Sequence, residues 1–171
     1  MPERILMVIA PDTFRDEEYT VPREVLERRT AEVVVASTRA GVCTGRFGTE
    51  ALATLAIAEA DLAGFDALVL VGGGGASVFF DDAHAHRLAR EAASTGKVLA
   101  AICIAPSTLA HAGLLDGRRA TAFESRAEDL VAHGAVWTGA PVEIDGAIVT
   151  ANGPDAAAAF GMAVADLLGL P

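Results

Sequence analysis

Two cysteines in a chain of 171 residues do not make a disulfide framework. Neither Cys43 nor Cys103 has a second cysteine or a histidine at zinc-ligand spacing, so no metal site is expected. Basic residues are scarce: 13 Lys and Arg stand against 23 Asp and Glu, a formal charge of −10. The acidic residues are scattered, and nucleic acid and anionic membrane surfaces are poor partners for such a chain. No apolar run approaches the roughly 18 residues that a membrane span needs, and Met1-Pro2-Glu3-Arg4 leads into a strand-like segment, not a signal peptide. The expectation is a soluble, cytoplasmic protein.

What the chain does have is apolar residues, 52% of the total, ample for one sizeable core. One domain over residues 1–171 is expected, with no linker, internal repeat or low-complexity tract. Arg4–Ala10, Ala31–Ser37, Ala67–Val71 and Val98–Cys103 are short continuous apolar runs, the pattern of strands buried on both faces. Helical spacing falls between and after them, over Glu17–Arg29, Asp81–Thr95 and Pro106–Gly113, with Pro22 read as lying near a first turn. This alternation predicts right-handed crossovers and a doubly wound α/β sandwich with a mainly parallel sheet. Gly41–Thr54 reads as a small hairpin or edge excursion. Val142–Ile144 and Ala147–Thr150 read as strands about the turn at Asp145-Gly146, and Asp155–Leu168 as a closing Ala-rich helix.

Cys103 ends the run VLAAIC, at the carboxyl end of a strand, where reactive groups gather in open α/β sheets. The helix expected from Pro106 directs N–H groups and a positive dipole end at the sulfur, which favours thiolate. Small Ala105 and φ-fixed Pro106 resemble the sharp turn of a nucleophile elbow. Taken alone, a cysteine in an apolar run is as readily a small buried hydrophobe.

Two other loops tilt that balance. Gly72-Gly73-Gly74-Gly75 follows a strand, where consecutive glycines let backbone come close and offer N–H groups as an oxyanion hole. A dinucleotide fingerprint would sit at the first strand-to-helix turn, and that turn is APDTFRDEE, so no nucleotide cofactor is expected. Glu17 and Glu18 open the first helix, and either could point across the strand ends toward Cys103. There the useful form is a protonated carboxyl donating to sulfur, kept neutral by burial.

Together these loops resemble the DJ-1/PfpI superfamily, whose members share a flavodoxin-like sandwich of the class I glutamine amidotransferase type. AAIC-x-x-P at Ala100–Pro106 is similar to the family's cysteine elbow, and Gly72-Gly73 to its glycine loop, with Val71 in place of a proline. Within DEEYTVP the family's glutamate stands four residues before a proline, which selects Glu18. AGLLDGRRAT, EDLVAHGAVW and PVEIDGAIVTANGP follow the family's order downstream. The resemblance implies catalytic Cys103 and Glu18, an oxyanion hole from the N–H groups of Gly73 and Ile104, no cofactor, and assembly as at least a homodimer.

The departures are as informative. The intracellular-protease branch has a histidine after the cysteine, where this chain has Ile104, and a glutamate where it has Ser77. The branch related to the Parkinson's-disease protein has a histidine at the place of Phe123, and the family's late arginine is Asn152. His111 lies eight residues along the next helix from Cys103, roughly 12 Å farther on, and does not reach. His133 reads as a surface residue. His84 and His86 could serve only across a subunit interface. Three functions stay open: a cysteine enzyme on reactive carbonyls or amides, of the glyoxalase, deglycase or amidase kind with little peptidase activity; a stress protein whose Cys103 is oxidised to sulfenate or sulfinate; and, with least support, a binding module.

Overall fold

The computed structural model describes residues 1–171. In chain order the elements are β1 (Arg4–Val8), β2 (Asp12–Phe14), α1 (Asp16–Arg28), β3 (Glu32–Ser37), β4 (Gly41–Gly45), β5 (Glu50–Ala53), β6 (Leu55–Ala56) and β7 (Ala67–Leu70). Then come α2 (Ala83–Ser94), β8 (Val98–Ile102), α3 (Pro106–His111), β9 (Arg119–Ala120), α4 (Ala127–Ala132), β10 (Val136–Trp137), β11 (Val142–Asp145), β12 (Ile148–Ala151) and α5 (Ala157–Leu167). Short 3-10 turns fill several connections, the longest over Gly74–Phe79.

Seven strands form the main sheet in the order β11-β12-β8-β7-β1-β3-β6. All neighbours are parallel except β11, which turns back antiparallel on β12. Every residue of β7, β8 and β12 is buried, as covered faces require of such apolar strands. The helices flank the sheet in two packed pairs, α1 with α5 and α2 with α3. One contiguous core of 52 buried residues runs through the whole, so no part of the main sheet has a core of its own.

The four apolar runs are β1, β3, β7 and β8, each shortened by one or two residues. Gly41–Thr54 forms the antiparallel β4–β5 hairpin, which joins β2 in a separate three-stranded sheet outside the main one. Strands as short as β2, β6, β9 and β10 carry no readable period, and neither they nor α4 emerge from the sequence.

Pro22 departs from expectation. The helix begins at Asp16, so Pro22 lies inside it and cannot donate to the Glu18 carbonyl. Its position is explained by α5: Gly161 comes so near that an added β-carbon would lie 2.9 Å from the Pro22 α-carbon. The helices approach closely because one side offers no side chain.

Candidate active site

β8 delivers Cys103 to the carboxyl edge of the parallel strands. The residue sits at φ 64°, in the left-handed region that non-glycine residues seldom adopt, so the chain bends sharply between β8 and α3. Backbone bonds hold the bend: Cys103 N–H donates to the Ala151 carbonyl at 2.9 Å, and Phe123 N–H donates to the Cys103 carbonyl at 2.7 Å. Pro106 begins α3 immediately beyond. Cys103 is 8% exposed, whereas Cys43, on the outlying hairpin, is wholly buried. The two thiols are free.

The glycine loop closes over this bend because it lacks side chains. A β-carbon on Gly72 would collide with Glu18 Oε1 and would lie 2.5 Å from Cys103 Cβ and 2.7 Å from the Ile102 carbonyl. Gly73, at φ 98°, faces the backbone of Phe14 and Arg15, and Arg15 N–H donates to the Gly72 carbonyl at 2.9 Å. Gly75 stands against the Asp12 carbonyl. On the facing side Thr13 is itself at φ 54°, within the irregular pairing of β2 with β4. Two unusual non-glycine conformations and a tight glycine loop thus converge on one spot, as strained backbone does at functional sites.

Glu18 comes from the first turn of α1 and is fully buried. Neither of its oxygens has a hydrogen-bond partner at ordinary geometry. Burial therefore raises its pKa to about 7, only partly offset by the neighbouring Cys103 thiol, the Arg15 charge and the Gly72 N–H. Glu17 behaves differently: it is half-exposed and pairs with Arg15 Nε at 2.6 Å, which holds its carboxyl below the usual range. Of the two glutamates, the fold sends Glu18 to the thiol.

The expected lowering of the Cys103 pKa does not hold. Burial and then the negative charge of Glu18 push the thiol up to about 12, against the pull of the Gly73 and Ile104 N–H groups aimed at the sulfur. The reason lies in the surroundings: α3 is six residues long, and its weak dipole cannot offset the loss of water around sulfur. The sequence does not single out two neighbours. Arg15 is a cation whose charge acts on the pair, with its guanidinium 5.1 Å from the Phe47 ring. Asp16 is buried; burial would raise its pKa, but N–H bonds from Phe47 (2.8 Å) and Thr49 (3.2 Å) hold it below the ordinary value. Asp16 thereby ties the β4–β5 turn to the start of α1. Its signal was present, an acidic residue in a first helical turn, but nothing local distinguishes it from Glu17.

Beside Cys103 opens a cavity of about 460 Å³, lined by residues that include Phe123, Trp137, Asn152 and Gly153. Cys103 does not line it. One of its backbone partners, Phe123, does line it, and so does Asn152, the residue after the other partner, Ala151. Ser77 is exposed on the 3-10 turn after the glycines. No histidine partners the thiol. His111 is held by Asp81 and Asp129, His133 bonds the Asp129 carbonyl, His86 bonds the Phe80 carbonyl, and His84 is exposed on α2.

With this geometry in view, the relatives are informative. Residues 3–167 match the model of the DJ-1/PfpI family. A deglycase of Pyrococcus abyssi is 36% identical over 149 residues, covering 87% of this chain and 90% of its own length. The deglycase PfpI of Pyrococcus furiosus is 32% identical over the same shares. Among solved structures, a ThiJ/PfpI domain protein from Brachyspira murdochii superposes with a TM-score of 0.96 at 30% identity, covering 98% of this chain and 97% of that one.

Proposed function

This chain belongs to the DJ-1/PfpI family, and from that premise we propose a cysteine-dependent enzyme for small reactive carbonyls, with Cys103 as nucleophile and Glu18 as its proton partner. Deglycase is the name that the Pyrococcus relatives carry. In this reading Cys103 occupies a nucleophile elbow of a flavodoxin-like, doubly wound sandwich that spans residues 1–171 as one domain. The strand order and the left-handed Cys103 backbone support it. The substrate is a small molecule and the assembly at least a homodimer. No helix is long and apolar enough to cross a membrane.

One observation carries the proposal: a fully buried carboxyl without a hydrogen-bond partner faces a thiol whose pKa is also raised. Two buried acids side by side titrate as a unit, and between about pH 7 and 12 the pair holds a single proton. As sulfur attacks an aldehyde carbon, the C–S bond forms and the carbonyl π electrons move to oxygen. The S–H proton passes to the Glu18 carboxylate. The N–H groups of Gly73 and Ile104 stabilise the oxyanion, and Glu18 returns the proton to it, giving a hemithioacetal. Addition of this kind expels no leaving group, so it makes the least demand on the histidine that this chain lacks.

A redox-sensing role needs an exposed, low-pKa thiol. Cys103 is only 8% exposed and has a carboxyl beside it to take its proton, which supports the carbonyl reading better. The test is a panel of an α-oxoaldehyde, an aminopeptidase-type amide and peroxide, offered to the wild type and to Cys103→Ser. Consumption of the α-oxoaldehyde that disappears in Cys103→Ser is the expected result. Equal consumption by both proteins, or turnover of peroxide alone, would overturn the proposal.

A further inference from the structure

On the far side of α3 from the Cys103 bend, the fold gathers a second cluster of reactive side chains. His111 ends α3, Asp129 lies in α4, and His133 follows α4 by one residue. Their ligand atoms all lie within 4.8 Å of one another. His111 Nδ1 is 2.8 Å from Asp81 Oδ1, and its Nε2 is 3.0 and 2.9 Å from the two oxygens of Asp129. A neutral imidazole has one N–H, yet both ring nitrogens here face carboxylate oxygens. With Nδ1–H given to Asp81, Nε2 faces Asp129 and needs either a second proton or a metal ion between them.

A proton on Nε2 would suffice for that pair alone, but the cluster holds more than a proton needs. The His133 ring stacks on His111 with centroids 4.6 Å apart, and His133 Nδ1 is 3.6 Å from Asp129 Oδ1. Arg126 takes the other oxygen, Oδ2, at 3.0 Å, which leaves Oδ1 turned to the two imidazoles. We propose that His111, Asp129 and His133 form a zinc(II) site, with Asp81 orienting His111 from the outer shell and a water as fourth ligand.

The chemistry fits. Tetrahedral zinc at about 2.0–2.1 Å from its nitrogen and oxygen ligands sets them roughly 3.3–3.4 Å apart; the 3.0 and 3.6 Å from Asp129 to the two imidazoles bracket that spacing, and the two ring nitrogens lie within 4.8 Å of each other. Two imidazoles and a carboxylate favour zinc over magnesium or calcium, which take oxygen sets. The Asp81–His111 bond is the carboxylate–histidine–metal relay that fixes the tautomer of a ligating imidazole. Zinc entering displaces the Nε2 proton to solvent. To bind, His133 turns out of its stack on His111 and gives up its 2.8 Å bond to the Asp129 carbonyl, the Nδ1 proton passing through solvent to Nε2, which its exposed place beyond the helix end allows. Arg126 Nε also donates to Ser107 Oγ at 2.7 Å, near the start of α3, so the metal would brace the helix that follows Cys103.

Sequence spacing hides this set, because His111 and Asp129 are 18 residues apart. The test uses the full chain: equilibrium dialysis against zinc with metal quantification, and the absorption spectrum of the cobalt(II) form. One zinc per chain is expected in the wild type and in Cys103→Ser, and the cobalt spectrum should show no thiolate charge-transfer band. His111→Gln and His133→Gln should lose stoichiometric binding; the second changes an exposed side chain, so its loss cannot be put down to unfolding. Asp81→Asn, exposed and outside the coordination shell, should weaken binding about 10- to 100-fold. The proposal is overturned if the wild type takes up no stoichiometric zinc, if binding vanishes in Cys103→Ser, or if it survives both histidine variants.

Discussion

The carboxyl of Glu18 meets Cys103 beside the bare α-carbon of Gly72. Neither group ionises at its ordinary value. The pair releases its first proton near 7 and its second near 12, and these steps belong to the two residues jointly.

Alkylation of Cys103 should therefore rise only at higher pH than for a free thiol with its pKa near 8.5. Glu18→Gln removes the negative charge that raises the thiol pKa but leaves sulfur buried, so the labelling profile should move to lower pH while staying above that of a free thiol. Rates of iodoacetamide labelling in a Cys43→Ser background, across pH 5–10, measure both. An unchanged profile in Glu18→Gln would show that the carboxyl takes no part.

Stability should carry the same signature. The folded pKa of Glu18, about 7, lies above the unfolded value near 4.5, so the folded state binds the extra proton between them. Its contribution is complete below about pH 4.5 and is lost as pH rises through 7. The loss approaches about 3 kcal/mol by pH 8, at 1.36 kcal/mol per unit. Glu18→Gln should escape it, gaining on the wild type between pH 4 and pH 8 in urea titrations. A constant difference between the two proteins over that range would contradict the burial argument.

The glycine loop offers a matched pair of substitutions. Gly72→Ala drives a methyl group into Glu18 and Cys103 and should destabilise by about 1–3 kcal/mol while shifting the pH profile of Cys103 labelling. Gly74→Ala meets nothing within 4 Å and should leave both properties unchanged. Thermal melts and the labelling assay separate them; equal behaviour would mean that close approach is not what the loop requires.

Amide substrates ask for a protonated leaving nitrogen, and general acid–base assistance is typically worth about 10²–10⁴ in rate. With Ile104 beside the nucleophile instead of histidine, peptidase activity should be negligible and carbonyl turnover slow. Ile104→His should raise amide cleavage by at least about tenfold, within that range. Efficient Cys103-dependent peptide cleavage by the unmodified protein, measured on aminopeptidase substrates, would reveal a base supplied from elsewhere, such as His84 or His86 of a second copy.

The order of strands and helices was legible in the sequence because continuous apolar runs, helical spacing and turn residues are local signals. VLAAIC followed by Pro106 marked the bend at Cys103, and Gly72–Gly75 marked a close approach, on residue type alone. Folding decided which carboxyl faces the thiol, because Glu17 and Glu18 differ only in the direction in which α1 turns them. It also decided the proton affinities: desolvation is a property of everything packed around Glu18 and Cys103, and it reversed the pKa direction that the helix dipole suggested. Arg15 and Asp16 near the site, and His111 with Asp129 and His133 beyond α3, acquire their meaning from neighbours distant in the chain. No periodicity in a single segment records such meetings, because they are set by how the sheet and its helices pack.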